Sequence, residues 1–180
     1  MTQSYMICQM KNDDYMANLL GVFTTTVSSR IEQGIAKLGG RSLSHETALI
    51  AISNHPNESI DMLSKVLGLT HSGAVRLTNT LEDEKLVQRH KSGDDARTVV
   101  LRVTTKGRKR ADDVLQTREK VTAQILNTLT DEQKAALTPV LEVALGALTD
   151  DKKGARRICR MCNEKVCCPQ GCPVESAFAE

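Results

Sequence analysis

Aromatic side chains are nearly missing from this sequence. Tyr5, Tyr15, Phe23 and Phe178 are the whole set in 180 residues, and tryptophan is absent. Binding single-stranded nucleic acid by base stacking needs aromatic platforms, so their scarcity argues against that mode. The core must instead be built from Leu, Val, Ile, Ala and Met. Long apolar runs are missing too, since none approaches the ~20 residues that cross a bilayer. The opening MTQSYMICQMKNDD lacks the basic-then-apolar order of a secretory signal. These absences predict a cytoplasmic protein with no membrane partner. There is no internal repeat, no phosphate-binding glycine loop, no nucleophile motif and no H-E-x-x-H, so no enzyme is expected. The four histidines, at 45, 55, 71 and 90, show no metal-ligand spacing. The length fits one domain with a small appendage.

What is present is unevenly placed. Between Lys85 and Arg110 there are nine Lys or Arg against Asp94 and Asp95, a local +7, while the rest of the chain carries −5. A basic segment on a nearly neutral chain is a polyanion-binding footprint. Lys106, Arg108, Lys109 and Arg110 read as a solvated basic face that aids non-specific attraction.

Apolar periodicity predicts a mainly helical fold. Met16, Leu19, Leu20, Phe23, Val27, Ile31, Ile35 and Leu38 form a three-and-four stripe, predicting a helix over 15–38 that Gly39-Gly40 ends. A second helix is expected from an N-cap at Ser44 to just before Pro56. A short third spans about 59–67, LGLT (67–70) is a glycine-containing turn, and a fourth helix covers about 71–84. Leu86 to Arg89 and TVVLRV read as two strands around the turn cluster KSGDDA, a β-hairpin with basic residues near its tip. Thr104 or Thr105 caps a long helix to about Leu129. TDEQ (130–133) has the capping-box form and opens a last helix, which Pro139 should bend or start.

A helix, a short turn with Gly and a second helix with a polar outer face form a helix-turn-helix, and a basic hairpin after it makes a wing. A helix fits the major groove, where Arg76 could pair with guanine, Asn79 with adenine and Val75 with a thymine methyl. His71 and Ser72 lie at the same end of that helix. Arg89, Lys91 and Arg97 on the hairpin could neutralise phosphates or enter the minor groove.

The stretches LGLTHSGAVRLTNTLEDEKLVQR and DDARTVVLRVTTKG make residues 43–107 resemble the multiple-antibiotic-resistance regulator (MarR) family. Asp95-Ala96-Arg97 matches that family's D-x-R wing motif, Val103-Thr104-x-x-Gly107 its wing-to-helix junction, and Arg76 a frequent basic residue of its recognition helix. Thr78 departs from the larger apolar residue usual there. With the flanking helices the resemblance covers about residues 15–150. It implies a homodimer joined by its first and last helices, which binds pseudo-palindromic duplex DNA, mostly as a repressor. It also implies release by a small-molecule inducer held between the dimerisation and DNA-binding regions. Asp95 would brace the wing, and Arg97 would sit at or near the DNA. The expected layout is an N-terminal extension (1–14), a dimerisation helix (15–42), a winged helix-turn-helix (43–104), C-terminal dimerisation helices (105–150) and a cysteine-rich tail (151–180).

That tail, CRMCNEKVCCPQGCPVE, holds five of the six cysteines. Its spacing is Cys159-x2-Cys162-x4-Cys167-x4-Cys172, with Cys168 outside the pattern. In a reducing compartment such clustering points to metal or redox chemistry. Four thiolates suit tetrahedral Zn²⁺ or an iron–sulfur cluster. The 2-4-4 spacing equals that of a zinc knuckle, without its usual glycine or stacking aromatics. Arg156, Arg157, Arg160 and Lys165 are expected to lower the thiol pKa values. A thiol switch through Cys167-Cys168 or the C-x-x-C pair stays open. Two functional classes stand beside the repressor: a metal- or redox-sensing regulator whose signal enters through the tail, and a DNA-architectural protein.

Overall fold

The computed structural model describes residues 2–93 and 97–177. It is mainly helical. Helix α1 spans Thr2–Ala36, longer at its start than the apolar stripe predicts, and ends where Gly39 and Gly40 take φ of 100° and 69°. α2 spans Leu43–Asn54. Its N-cap is Ser42, not Ser44, and the Ser42 hydroxyl bonds His45 Nδ1 at 2.7 Å. Glu46 to Ile52 are all buried, so α2 is the central rod of the core.

Strand β1 (Glu58–Ser59) then leads into α3 (Ile60–Leu67), capped by the Ser59 hydroxyl, which accepts from Met62 N at 3.2 Å. Gly68 ends α3 in the left-handed region, φ 66°, which L side chains rarely adopt. α4 (His71–Asp83) starts two residues after Leu69, with Thr70 accepting from Gly73 N at 3.1 Å. Strands β2 (Val87–Lys91) and β3 (Val99–Val103) pair antiparallel from Val87 opposite Val103 to Lys91 opposite Val99. The sequence reading has two strands. The structure adds β1 on the outer side of β3, giving the order β1-β3-β2.

α5 (Thr105–Leu126) is capped by Thr104, and α6 (Asp131–Ala147) by the Thr130–Gln133 capping box. Pro139 lies inside α6 and neither starts nor ends it. One core joins α2, α3, α4, β2, β3 and α5 through Leu49, Ile50, Leu63, Leu77, Leu81, Val87, Leu101 and Val114. α1 meets it only near its end, where Ile35 is buried and Ile31 half-buried.

The tail is ordered too. α7 (Lys152–Ile158) is followed by a 3-10 turn (Cys159–Met161), α8 (Glu164–Cys167), a second 3-10 turn (Cys168–Gln170) and α9 (Pro173–Ser176). α7 and the first turn pack on α3 and α2, and α9 packs on α6. No described helix is long and apolar enough to cross a membrane.

Candidate nucleic-acid interface and cysteine cluster

α4 has two faces of different chemistry. Ala74, Leu77, Thr78 and Leu81 are buried against the core. Thr78 is fully buried yet satisfied, because its hydroxyl donates to Ala74 O at 2.7 Å. That explains how a polar residue stands where a larger apolar one is usual. His71, Ser72, Arg76 and Asn79 are exposed on the opposite face, with Val75 half-buried beside them. The predicted readout positions therefore share one solvent-facing surface.

The wing lies beside that surface and is tied to it. Arg89 donates from Nη1 to Glu82 at 2.6 Å and from Nη2 to Asn79 Oδ1 at 2.6 Å. The guanidinium thus joins β2 to α4, and its free-protein role is positioning. Glu82 pairs with Arg89 and Glu84 with Arg41. Arg76, whose acidic helix neighbours could have neutralised it, makes no ion pair among the described residues. Lys91 and Arg97 are exposed near the hairpin tip. Asp95, expected to brace the wing, lies outside the described residues.

One basic residue is not where the sequence reading has it. Arg110, assigned there to a solvated face, grips the fully buried Glu46, with Nε 3.1 Å from both carboxylate oxygens and Nη2 2.5 Å from Oε1. Its other donors reach Leu38 O at 2.7 Å and Gly39 O at 3.0 Å. Glu46 offers no distinguishing sequence signal. Burial of a carboxylate on α2 creates the demand for Arg110, and only packing creates the burial.

Cys159, Cys162, Cys167, Cys168 and Cys172 line a single cavity of about 350 Å³ together with Ala155, Arg156, Glu164 and Glu175. All five are free thiols, with Cys172 buried and Cys168 exposed. No three His, Cys, Asp or Glu side chains among the described residues converge on one ion position. The thiols form a cavity lining, not a closed coordination sphere. The pKa values of Cys159, Cys162, Cys167 and Cys168 move opposite to the sequence expectation. Burial, then the neighbouring thiols, pushes Cys159 and Cys167 up to about 12. Burial also raises Cys162. The nearby cations are engaged elsewhere, Arg156 in a two-point pair with Glu58 and Arg160 on the Arg157 carbonyl. A hydrogen bond with Cys167 and then the charge of Arg118, on α5, act to lower Cys162 without overcoming burial.

Residues 40–98 match the model of the MarR family. Over that segment the winged helix is similar to the MarR family. Solved structures extend the likeness of fold beyond that segment. A MarR family protein from Bacillus stearothermophilus superposes with a TM-score of 0.67 over 75% of this chain and 94% of its own, at 19% identity. The YusO protein from Bacillus subtilis gives 0.62 over 76% and 96%, at 22% identity. A mutant of MepR from S. aureus, bound to an oligodeoxyribonucleotide, gives 0.56 over 74% and 98%, at 18% identity. Among curated proteins no sequence match is found.

The match to the MarR model ends at residue 98, well before the tail. The sequence reading treats that tail as an appendage to a body complete by about residue 150. The structure instead docks it on the MarR-type winged helix. Asn54 Nδ2 donates to Cys162 O at 3.0 Å, His55 Nε2 lies 2.8 Å from Glu164 Oε1, and Arg118 Nη1 donates to Met161 O at 3.1 Å. These partners lie 43 to 109 residues apart in sequence, so no local pattern announces them.

Proposed function

We propose that this chain is a sequence-specific, double-stranded-DNA-binding transcription regulator that acts as a homodimeric repressor in the cytoplasm. The observation that carries the reading is the exposed face of α4, with His71, Ser72, Val75, Arg76 and Asn79, set beside the basic wing residues Arg89, Lys91 and Arg97. A helix of that width enters the major groove, and flanking cations neutralise phosphates. The oligodeoxyribonucleotide bound to the MepR mutant, a protein of this fold, supports the same use here.

The dimer is argued from exposed apolar surface. Met16, Leu19, Leu20, Val22 and Phe23 on α1, Val140, Leu141, Val143 and Leu145 on α6, and Leu148 just past its end are all left open to solvent. A single chain gains nothing from showing this much apolar side chain. A two-fold partner presenting the same two helices covers it. Two-fold symmetry then implies a pseudo-palindromic operator.

For the relieving signal, a small-molecule inducer has room in a cavity of about 330 Å³ between α2, α5 and the tail, lined by Ile50, Ser53, Arg108 and Glu119. The second reading, a signal sensed by the tail cysteines, is favoured by the docking of the tail on the helix-turn-helix.

The test is selection of duplexes from a random-sequence library by the full-length protein. The expected result is an inverted repeat, and a promoter carrying it is repressed by the protein in a reporter assay. Equal binding to all duplexes would reduce the protein to a DNA-architectural role. Arg97→Ala should weaken binding to the selected duplex by ~1–3 kcal/mol if it reads a base. Unchanged affinity removes it from the site.

A further inference from the structure

We infer that Cys159, Cys162, Cys167 and Cys172 together hold one thiophilic metal centre, either Zn²⁺ or an iron–sulfur cluster. We further infer that the filled site clamps the tail onto the turn of the helix-turn-helix, so that losing the metal weakens DNA binding. The second part rests on the DNA-binding reading above; the first does not.

The tail is ordered but has little to order it. Its small apolar cluster is Ala155, Cys172 and Val174, with Ile158, Cys159 and Cys167 packed around it, so the cysteines make up half of it. α8 and α9 are four residues each and the 3-10 turns three, lengths that do not hold themselves together in water. No disulfide joins them. A segment with so small a core of its own and no covalent cross-link gains from another source of folding free energy, and a metal held by four thiolates would supply it. Four thiols from three short elements already face one cavity. An iron–sulfur cluster would spread the four cysteines over two or more iron atoms, and so would need no common point. A single zinc would draw the thiols inward. In either case the coordinating thiols give up their protons to water as metal binds.

The lever is short. From α7, Arg156 pairs with Glu58 at 2.8 and 2.9 Å, and β1, which holds Glu58, pairs with β3 of the wing. The next residue, Arg157, lies over the turn itself: a Cβ on Gly68 would stand 3.0 Å from its Nη2. Two residues further on is Cys159. On the far side, α9 holds Cys172 at its N-cap and packs on α6, one of the proposed dimerisation helices. The cysteine cluster therefore sits between the dimer scaffold and the turn that sets α4.

Metal analysis with a visible spectrum, on full-length protein purified without oxygen, tests the site. About one zinc per chain without colour, or iron and sulfide with a brown absorbance, supports it and says which. No bound metal, and none taken up from added Zn²⁺ or on iron–sulfide reconstitution, overturns it. Cys159→Ser and Cys172→Ser should lose the metal while Cys168→Ser retains it; equal loss from Cys168→Ser overturns the ligand set. For the clamp, removing the metal with a chelator should speed hydrogen exchange in α3 and residues 67–70, and weaken binding to the selected duplex at least tenfold. Arg157→Ala should keep the metal and weaken binding in the same direction. Unchanged exchange and affinity after metal removal overturn the clamp and leave the site standing. If the loaded protein binds no duplex at all, the DNA-binding reading fails, while metal content and exchange still report on the site and the docking.

Discussion

Gly107 sits where α5 leaves the wing, facing the carbonyl of Leu86. A Cβ there would lie 1.9 Å from that oxygen, a backbone atom that has no rotamer with which to move away. Around it Thr104 N donates to Leu86 O at 2.9 Å, the Thr104 hydroxyl donates to Lys85 O at 2.8 Å, and the same hydroxyl accepts from Gly107 N at 3.0 Å. Gly107→Ala must separate the helix from the strand and should destabilise the fold by at least ~1–3 kcal/mol, read as a lower midpoint in urea. A midpoint equal to wild type would show that the junction relaxes freely. Arg110 makes the second residue-scale case. Arg110→Ala leaves the fully buried Glu46 carboxylate with only Arg41, 3.8 Å away. Breaking such a pair costs ~3–5 kcal/mol. Lys109→Ala, one residue away on the exposed side of α5, should change stability by less than ~0.5 kcal/mol. Similar losses from both would show that Arg110 is an ordinary surface arginine.

The elements differ in how their sequences announce them. α6 was legible because Thr130 and Gln133 form a capping box and its apolar positions repeat. Yet its apolar stripe is left largely open: α9 packs on α6, but α6 has no buried residue. The same holds for the first half of α1. Periodicity reports that a helix has an apolar face, not what covers it. If a partner copy does, Leu141→Asp on α6 should convert the protein to monomer in sedimentation analysis while the far-ultraviolet circular dichroism stays helical. A dimer of undiminished affinity would place the interface elsewhere. β1 went unseen because two residues, Glu58 and Ser59, carry no alternation to detect; they are a strand only because β3 lies alongside.

On the scale of the whole molecule, the +7 segment does not act as one patch. Arg89 is tied to Glu82 and Asn79, Arg102 to Asn57, and Arg110 to Glu46, while Arg76 and Lys91 stay exposed. DNA affinity should still fall steeply with salt. A protein neutralising 6–10 phosphates loses about 10³–10⁵ in affinity between 50 and 200 mM, and with several basic residues engaged internally a drop nearer the lower end is expected. Fluorescence anisotropy across that range measures it; a flat response would rule out phosphate neutralisation as the source of affinity.

By itself the sequence determined the helix order, the caps at Thr104 and Thr130, the hairpin and the set of side chains facing out from α4. Those follow from local chemistry: a hydroxyl near free N–H groups, a glycine where φ turns positive, and apolar spacing of three and four. Only the tertiary structure decided that Glu46 is buried and claims Arg110, that Arg89 braces the wing, and that the cysteine tail lies on the helix-turn-helix. Each of these depends on desolvation or on contact between residues far apart in the chain. No local pattern encodes either one, because the free energy of a charge or a thiol is set by what surrounds it after folding.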